Sequence, residues 1–391
     1  MISYDDALKI MLTSARPLGT ERVPLQKSMN RILADNIVSD VDMPPFNKSA
    51  MDGYACRRAD LGNVLMVVEE IPAGSFPARK ISLNECAKIM TGAPVPEGAD
   101  VVIMREDTDE TSAKKIRFKG KNTSKNICLK GEDVAAGTMV LKKGELITPA
   151  HMAILASVGC VEPLVSTRPR VGLIATGDEL VEPDRKPGRA GIRNSNSCQL
   201  LAQISEIGGL AKYYGIAADK REALMPVIQK ARGENDVVVI SGGVSAGDYD
   251  FVPEMLKTCG FEIMFESVAM QPGKPTVFGR NGNVLCIGLP GNPVSTFVVF
   301  ELLVKPLLYR MMNHEHRPMI VSAVLDADVS RKNTARQSTI PVVFTSPGTV
   351  LPMDYHGSAH IHAMCRADGL VTIPANTPGF KKGSSVHVRS L

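Results

Sequence analysis

The chain has no tryptophan, and aromatic residues make up only 5% of it. Other side chains must therefore fill its interior, and the 19 methionines are read as core filling rather than as a sulfur–metal site. A charge of one sign is also missing. Lys plus Arg number 45 against 41 Asp plus Glu, and a net charge of +4 is too small for a basic nucleic-acid surface. No apolar run reaches the length of a membrane span. The best candidate, Phe297 to Leu308, is interrupted by Glu301, Lys305 and Pro306. The N-terminus, MISYDDALKIML, lacks the basic start and long apolar core of a signal peptide. Eight cysteines are scattered without a CxxC, which disfavours a zinc knuckle or a thioredoxin-type site and suggests a reducing cytoplasm. GxxxxGK[ST] is absent, as is a GxGxxG after the first strand of the α/β stretch. These absences argue against a P-loop hydrolase and a dinucleotide oxidoreductase.

What is present falls into zones. With 391 residues, the chain is long enough for about two to four domains. Residues 1 to 167 carry short β-type runs (LMVVEEI, DVVIM, KIRF, TMVL) and little helical periodicity beyond the N-terminal segment and Pro149 to Val158. The basic run Lys114 to Lys125 reads as a solvated edge strand and loop. From Arg170, strands alternate with helices: VGLIA, a helix capped within Ser195-Asn196-Ser197, AKYYGIA, a helix to Ala231, and DVVVI. That alternation predicts a parallel sheet with right-handed crossovers. FEIMFESV adds a strand, and TVFG and VLCIGL form a hairpin across Asn281-Gly282. After Met312 the runs are again short and β-like, which predicts a small β domain.

Open parallel sheets bind ligands outside the carboxyl ends of their strands. The residues expected there are Thr176-Gly177-Asp178-Glu179, Asp219, Ser241-Gly242-Gly243 with Asp248 and Asp250, Gln271-Pro272-Gly273-Lys274-Pro275, and Pro290-Gly291-Asn292-Pro293. Each has a plain structural reading. Asp219 suits a helix cap, Asp178-Glu179 suits a helix dipole, and a glycine pair suits a turn. Taken together they favour a site. Glycines let backbone N–H groups surround phosphate oxygens, and carboxylates can hold a Mg²⁺ that bridges to them.

The stretches TGDEL (176–180), SGGVSAGDYDF (241–251), QPGKP (271–275) and GLPGNPVS (288–295) resemble the molybdopterin-binding fold. PPFNKSAMDGYA (44–55), IMTGAPVPEGADVVIMRED (89–107), KGEDVAAG (130–137) and SAHIHAMCRADGLVTIP (358–374) resemble the molybdopterin molybdenumtransferase family, MoeA, also seen as the E domain of gephyrin. The resemblance implies a multidomain α/β plus β protein. Its expected parts are a linker from 1–37 and 137–167, an inserted mostly β lobe at 38–136, a molybdopterin-binding α/β domain at 168–316 and a C-terminal β barrel at 317–391.

The resemblance also implies a cytoplasmic enzyme of molybdenum cofactor biosynthesis, using Mg²⁺, with molybdate and adenylylated molybdopterin as substrates and AMP released. It implies a homodimer whose cleft joins two subunits. Molybdopterin adenylyltransferase and molybdoenzyme-maturation proteins are its expected partners; nucleic acid and membrane are not. The family's catalytic residues map to Asp52, Glu179, Asp219 and Asp250, with Glu179 and Asp250 on the metal. Substrate binding maps to Thr91, Asp133, Thr176, Gly242, Gly243, Ser245, Gly273, Lys274, Pro290, Gly291, Asn292 and Pro293. An adenylyltransferase of the same fold and a gephyrin-like dimeric scaffold are the alternatives.

Two departures stand out. Cys128 lies where the family often has arginine, leaving Lys125 or Lys130 to substitute, and Gln271 lies where some members carry lysine. His356, His360 and His362, near His314 and His316, read as exposed residues of a hairpin rather than zinc ligands. Cys56, Cys128 and Cys198 read as small apolar residues rather than reactive thiols.

Overall fold

The computed structural model describes residues 1–244, 252–353 and 360–391. The chain divides into two compact units. One comprises Met1–Ala34, Gly144–Thr148 and Leu164–Leu391; the other comprises Asp35–Lys143 and Pro149–Pro163.

In the first unit, the stretch from Arg170 builds a mixed six-stranded sheet. Its order is Leu210–Ala217, Arg170–Thr176, Val237–Ser241, Val284–Leu289, Val277–Asn281, Glu262–Phe265. The first four run parallel, Val277–Asn281 runs antiparallel to them, and Glu262–Phe265 runs antiparallel to Val277–Asn281. Successive side chains of a strand point to opposite faces, and the core obeys this. Leu173, Val237, Val239 and Ile287 pack to one side with Leu200 and Ile204 of the helix Ser195–Glu206. Ile174, Val238, Ile240 and Cys286 pack to the other with Leu224 and Ile228 of the helix Arg221–Glu234. The hairpin through Gly282 is present, with Asn281 paired to Val284. Because Val277–Asn281 runs antiparallel, its start lies at the edge where the parallel strands end.

Four local expectations are corrected. Asn194, not the serines or Asn196, caps the helix Ser195–Glu206, its side chain accepting from the Ser197 N–H. Asp219 does not cap the next helix, whose N-cap is Lys220 without a side-chain bond. Asp178 and Glu179 sit in a turn before the short strand Leu180–Val181, not at a helix start. The segment before Pro272, Met270–Gln271, pairs with Gln337–Ser346 and so belongs to the C-terminal sheet.

That C-terminal sheet closes on itself. Gln337–Ser346, Thr349–Pro352, Ile320–Leu325, Ser385–Ser390 and Gly369–Ile373 follow one another around the barrel, and the last pairs back to the first. Ala323, Leu325, Val342, Val350, Val371, Val386 and Val388 fill it. Closure removes the exposed strand edges that short β segments would otherwise present. His360 and His362 lie at the 3₁₀ helix Ile361–Arg366, not in a hairpin, and His356 lies outside the described residues. His316 stacks on Tyr309, and burial, helped by Arg389, pushes its pKa down to about 4.

The interrupted apolar run is explained here. Pro293–Val299, a π turn over Phe300–Val304 and Lys305–Met311 form a continuous buried helical segment. Glu301 is buried within it, paired with Lys305 at 2.9 Å and receiving a bond from Gln203 at 2.9 Å, so its charge is not left alone. Among the described residues no helix is long and apolar enough to cross a membrane.

The second unit centres on a six-stranded sheet ordered Val101–Met104, Gly53–Cys56, Glu85–Ile89, Val64–Ile71, Lys115–Phe118, Thr108–Ser112. Both faces are covered: Tyr54, Cys56, Cys86 and Ile103 on one, and Ala55, Ala87, Ile89 and Val102 on the other. Lys115–Phe118 is not an edge strand, because Thr108–Ser112 pairs outside it. Burial pushes the Cys56 and Cys86 thiols up to about 12, so these are inert core groups, whereas Cys198 is exposed.

Candidate functional site

Where the parallel strands end, the first unit holds a cavity of about 610 Å³. Its lining includes Thr176, Gly177, Glu179, Asp219, Ser241, Gly242, Gly243, Pro290, Gly291, Asn292 and Pro293. The sequence placed these residues on one edge, and the fold brings them around one space. Ser245 and Asp250, and Asp248 between them, lie outside the described residues.

The acids here are arranged by side-chain and backbone donors. The Thr176 hydroxyl donates to Asp219 Oδ1, and the Asp219 N–H donates to Asp178 Oδ1 at 3.1 Å. Asp219 thus has one carboxylate oxygen committed, while Oδ2 has no partner among the described residues. Glu179 folds its carboxylate back over Gly177, so that a β-carbon there would stand 2.8 Å from Oε2. Gly242, at φ +102°, passes so near the end of the neighbouring strand that a β-carbon would lie 2.2 Å from the Thr176 carbonyl oxygen. Only glycine fits that crossing. Among the described residues no group of three His, Cys, Asp or Glu side chains is placed to hold a metal by itself.

The QPGKP loop divides. Pro275 reaches the cavity, but Gly273 packs against the helix Pro293–Val299, where a β-carbon would meet Val299 Cγ2 at 2.4 Å. Lys274 is exposed and lines a separate hollow of about 440 Å³ with Met1, Ser267, Asn333, Ala335 and Arg336. Lys274 therefore does not join the acids at the strand ends in this structure.

In the second unit Asp52 and Thr91 meet. The Thr91 hydroxyl and backbone N–H both donate to Asp52 Oδ1, at 2.6 and 2.7 Å. The hydroxyl bond foremost, then the N–H and the nearby Arg105, hold the Asp52 carboxyl below its ordinary range against a small effect of burial. Asp52 lines a small hollow with Tyr54, Lys88 and Arg105. Asp133 is not part of that hollow; it sits on an exposed turn whose backbone bonds to Met43. Cys128 pairs across a two-residue ladder with Lys48, so Lys48 is the cation directly opposite it. Lys130 is ion-paired with Asp42 at 3.2 Å. Sequence reasoning missed Arg105 as a neighbour of Asp52, and it missed Asn196, which also lines the strand-end cavity. The signal for Asn196 was a run of small polar residues at a helix start beside the strand ends.

The chain matches three family models in order. They describe the MoeA N-terminal region (domain I and II) over residues 2–159, a probable molybdopterin binding domain over 172–310, and the MoeA C-terminal region (domain IV) over 322–391. It is 35% identical to proteins named molybdopterin molybdenumtransferase from Staphylococcus epidermidis and Staphylococcus aureus, covering 99% of this chain and 95% of each relative. The chain belongs to the MoeA family. The crystal structure of the molybdopterin biosynthesis moeA protein from Pyrococcus horikoshii OT3 is similar over the full length of both chains, with a TM-score of 0.86 at 30% identity. In MoeA terms, the strand-end cavity lies in the molybdopterin-binding segment and the Asp52–Thr91 pair in the N-terminal segment.

Proposed function

We propose that this chain is a molybdopterin molybdenumtransferase: it takes molybdate and adenylylated molybdopterin, inserts molybdenum into the pterin dithiolene and releases AMP. One observation carries the reading: in a MoeA-family chain, the strand ends enclose a cavity that combines two carboxylates with glycine-lined backbone. Glycines admit the phosphates of the substrate. Asp219, oriented by Thr176, keeps Oδ2 available to take a proton from the water that cleaves the pyrophosphate. Gly242, Gly243, Pro290, Gly291, Asn292 and Pro293 shape and hold the substrate, with Thr176, Ser245 and Gly273 assigned to the same task. Glu179 and Asp250 act with Asp219 in catalysis. Asp52, Thr91 and Asp133 serve the reaction from the other unit. Lys274, beside Arg336, receives an anion.

The residues present fit Mg²⁺. Glu179 and Asp219 offer only oxygen donors in one cavity, and Mg²⁺ is commonly held by one or two carboxylates together with substrate phosphates and water. Glu179 and Asp250 are its proposed protein ligands, and the ion would neutralise charge on the pyrophosphate. The active species is proposed to be a cytoplasmic homodimer that receives its substrate from a molybdopterin adenylyltransferase and passes product to molybdoenzyme-maturation proteins.

The test is AMP release from adenylylated molybdopterin by the purified chain. Release that requires both molybdate and Mg²⁺ is expected. ATP-dependent adenylylation of molybdopterin would instead identify the adenylyltransferase reaction, and inertness of the folded dimer in both assays would leave a scaffold. Mixing the impaired Asp52→Asn and Asp219→Asn proteins should raise activity above that of either variant alone if two copies serve one reaction. No recovery after verified subunit exchange would remove the shared-site part of the proposal.

A further inference from the structure

Asn196 is buried at the first turn of the helix Ser195–Glu206, with only 9% of its surface exposed. Its Nδ2 donates to the Gly291 carbonyl at 2.8 Å and the Ser241 hydroxyl at 3.0 Å, with a longer contact of 3.4 Å to Thr296 Oγ1. A carbonyl only accepts, so the contact with Gly291 fixes which end of the carboxamide is the nitrogen. Thr296 in turn donates to the Pro290 carbonyl at 2.6 Å. Both carbonyls of the Pro290-Gly291 loop are therefore tied to donors.

A peptide is planar and trans, so its C=O and N–H point in opposite directions. Tying these carbonyls down directs the Gly291 and Asn292 N–H groups away from Thr296 and Asn196. It also keeps two negative dipole ends from a bound anion. Asn196 Oδ1 is buried and has no hydrogen-bond partner among the described residues. An unsatisfied buried acceptor is costly, which marks the carboxamide as kept for its donor end rather than for packing.

We propose that Asn196 is a positioning residue: by holding the Gly291 carbonyl against the end of the Val237–Ser241 strand, it presets the Pro290–Asn292 loop to receive the phosphates of the substrate. This rests on the reading of the cavity as the site for adenylylated molybdopterin. Burial raises a carboxyl at this position above its ordinary value of about 3.9. Asn196→Asp therefore offers no donor when ionised at pH 7.5 but regains one, its carboxyl O–H, when protonated toward pH 5.5. Asn196→Leu regains none.

The experiment measures the Kd for adenylylated molybdopterin by calorimetry at pH 7.5 and 5.5, as a ratio to wild type at each pH. Hydrogen exchange of residues 289–296 is followed in the free protein. Both variants should bind about tenfold more weakly at pH 7.5, the loss of one such bond being worth about 1.4 kcal/mol. Asn196→Asp should recover toward wild type at pH 5.5, Asn196→Leu should not, and exchange at 289–296 should quicken in both at pH 7.5. If Asn196→Leu does not fold, the pH reversal of Asn196→Asp, in affinity and exchange, decides alone. Wild-type affinity and exchange in the variants, or a deficit in Asn196→Asp that ignores pH, would overturn the proposal. If the wild type itself fails to bind while exchange responds as expected, the function assigned to the cavity is wrong and the loop-holding role stands.

Discussion

Asp219 and Asp52 are held in the same way, each accepting from a threonine hydroxyl, yet they serve different surroundings. The Thr176–Asp219 pair stands at the end of a parallel sheet, in a cavity of about 610 Å³ shared with Glu179. The Thr91–Asp52 pair stands on turns of a largely antiparallel sheet, where Asp52 lines a hollow of about 20 Å³ with Lys88 and Arg105. One aspartate has a carboxylate for a neighbour and room for a ligand. The other has cations for neighbours and little room. Parallel strands release their chains at one edge through long crossovers, which leaves a wide space. Around Asp52 the strands Gly53–Cys56, Glu85–Ile89 and Val101–Met104 lie side by side, and Lys88 and Arg105 fill the space beside it. The pair is thus a common unit, and the topology around it decides whether a cation or an extended ligand can be housed.

The sharpest break in this comparison is chemical. Asp219→Asn should lower molybdate-dependent AMP release by about 100-fold or more, as expected for loss of a proton acceptor. Its melting temperature should barely change, because Asp219 caps no helix. Asp52→Asn should cost less, about tenfold, the scale of one hydrogen bond. Equal losses in steady-state assays would mean that the two pairs share the chemistry evenly.

Backbone crowding gives the next contrast. Gly242→Ala should destabilise the fold by about 3 kcal/mol, since positive φ and a collision with the Thr176 carbonyl act together. Gly92, beside Thr91, also has positive φ but meets nothing within 4 Å, so Gly92→Ala should cost about 1 kcal/mol. Urea unfolding measures both, and similar values would show that the strand-end crossing yields.

Outside the two pairs, Lys274→Ala should weaken molybdate binding about fivefold, the scale of one charge-assisted contact. Lys130→Ala should change it less than about twofold, because Lys130 already answers Asp42 in an exposed pair. Calorimetry at two salt concentrations tests this, and a larger effect at Lys130 would move anion recognition to the second unit.

The smallest effect concerns acid. The folded pKa of Asp52 is depressed, so its contribution to stability is present above the unfolded carboxylate value, about 3.9, and is lost as pH falls through the lower folded value. Thr91→Val removes the hydroxyl bond and leaves the N–H. The Asp52 pKa should therefore rise part of the way toward its ordinary value in an NMR titration; no rise would assign the depression to Arg105 and the backbone.

Much of this molecule was legible in the chain. The strands from Arg170, the hairpin at Asn281-Gly282 and the two β-rich ends follow from short-range periodicity and turn chemistry, which a few neighbouring residues specify. The TGDEL and GLPGNPVS stretches located the edge for the same reason. Three readings failed, two of them because the answer lay outside the local window. Lys115–Phe118 lost its edge position because Thr108–Ser112 folds back outside it. Asp219 left the helix cap for Thr176, and Lys274 lines a separate hollow with Arg336.

By itself the sequence determined which segments are strands or helices, where glycine is required, and which family the pattern resembles. The tertiary structure alone decided which polar atoms meet. The bond from Thr176 to Asp219 spans 43 positions and that from Asn196 to Gly291 spans 95. Such bonds depend on sheet order, on helix placement and on buried donors finding acceptors. None of these is written in the residues adjacent to either partner.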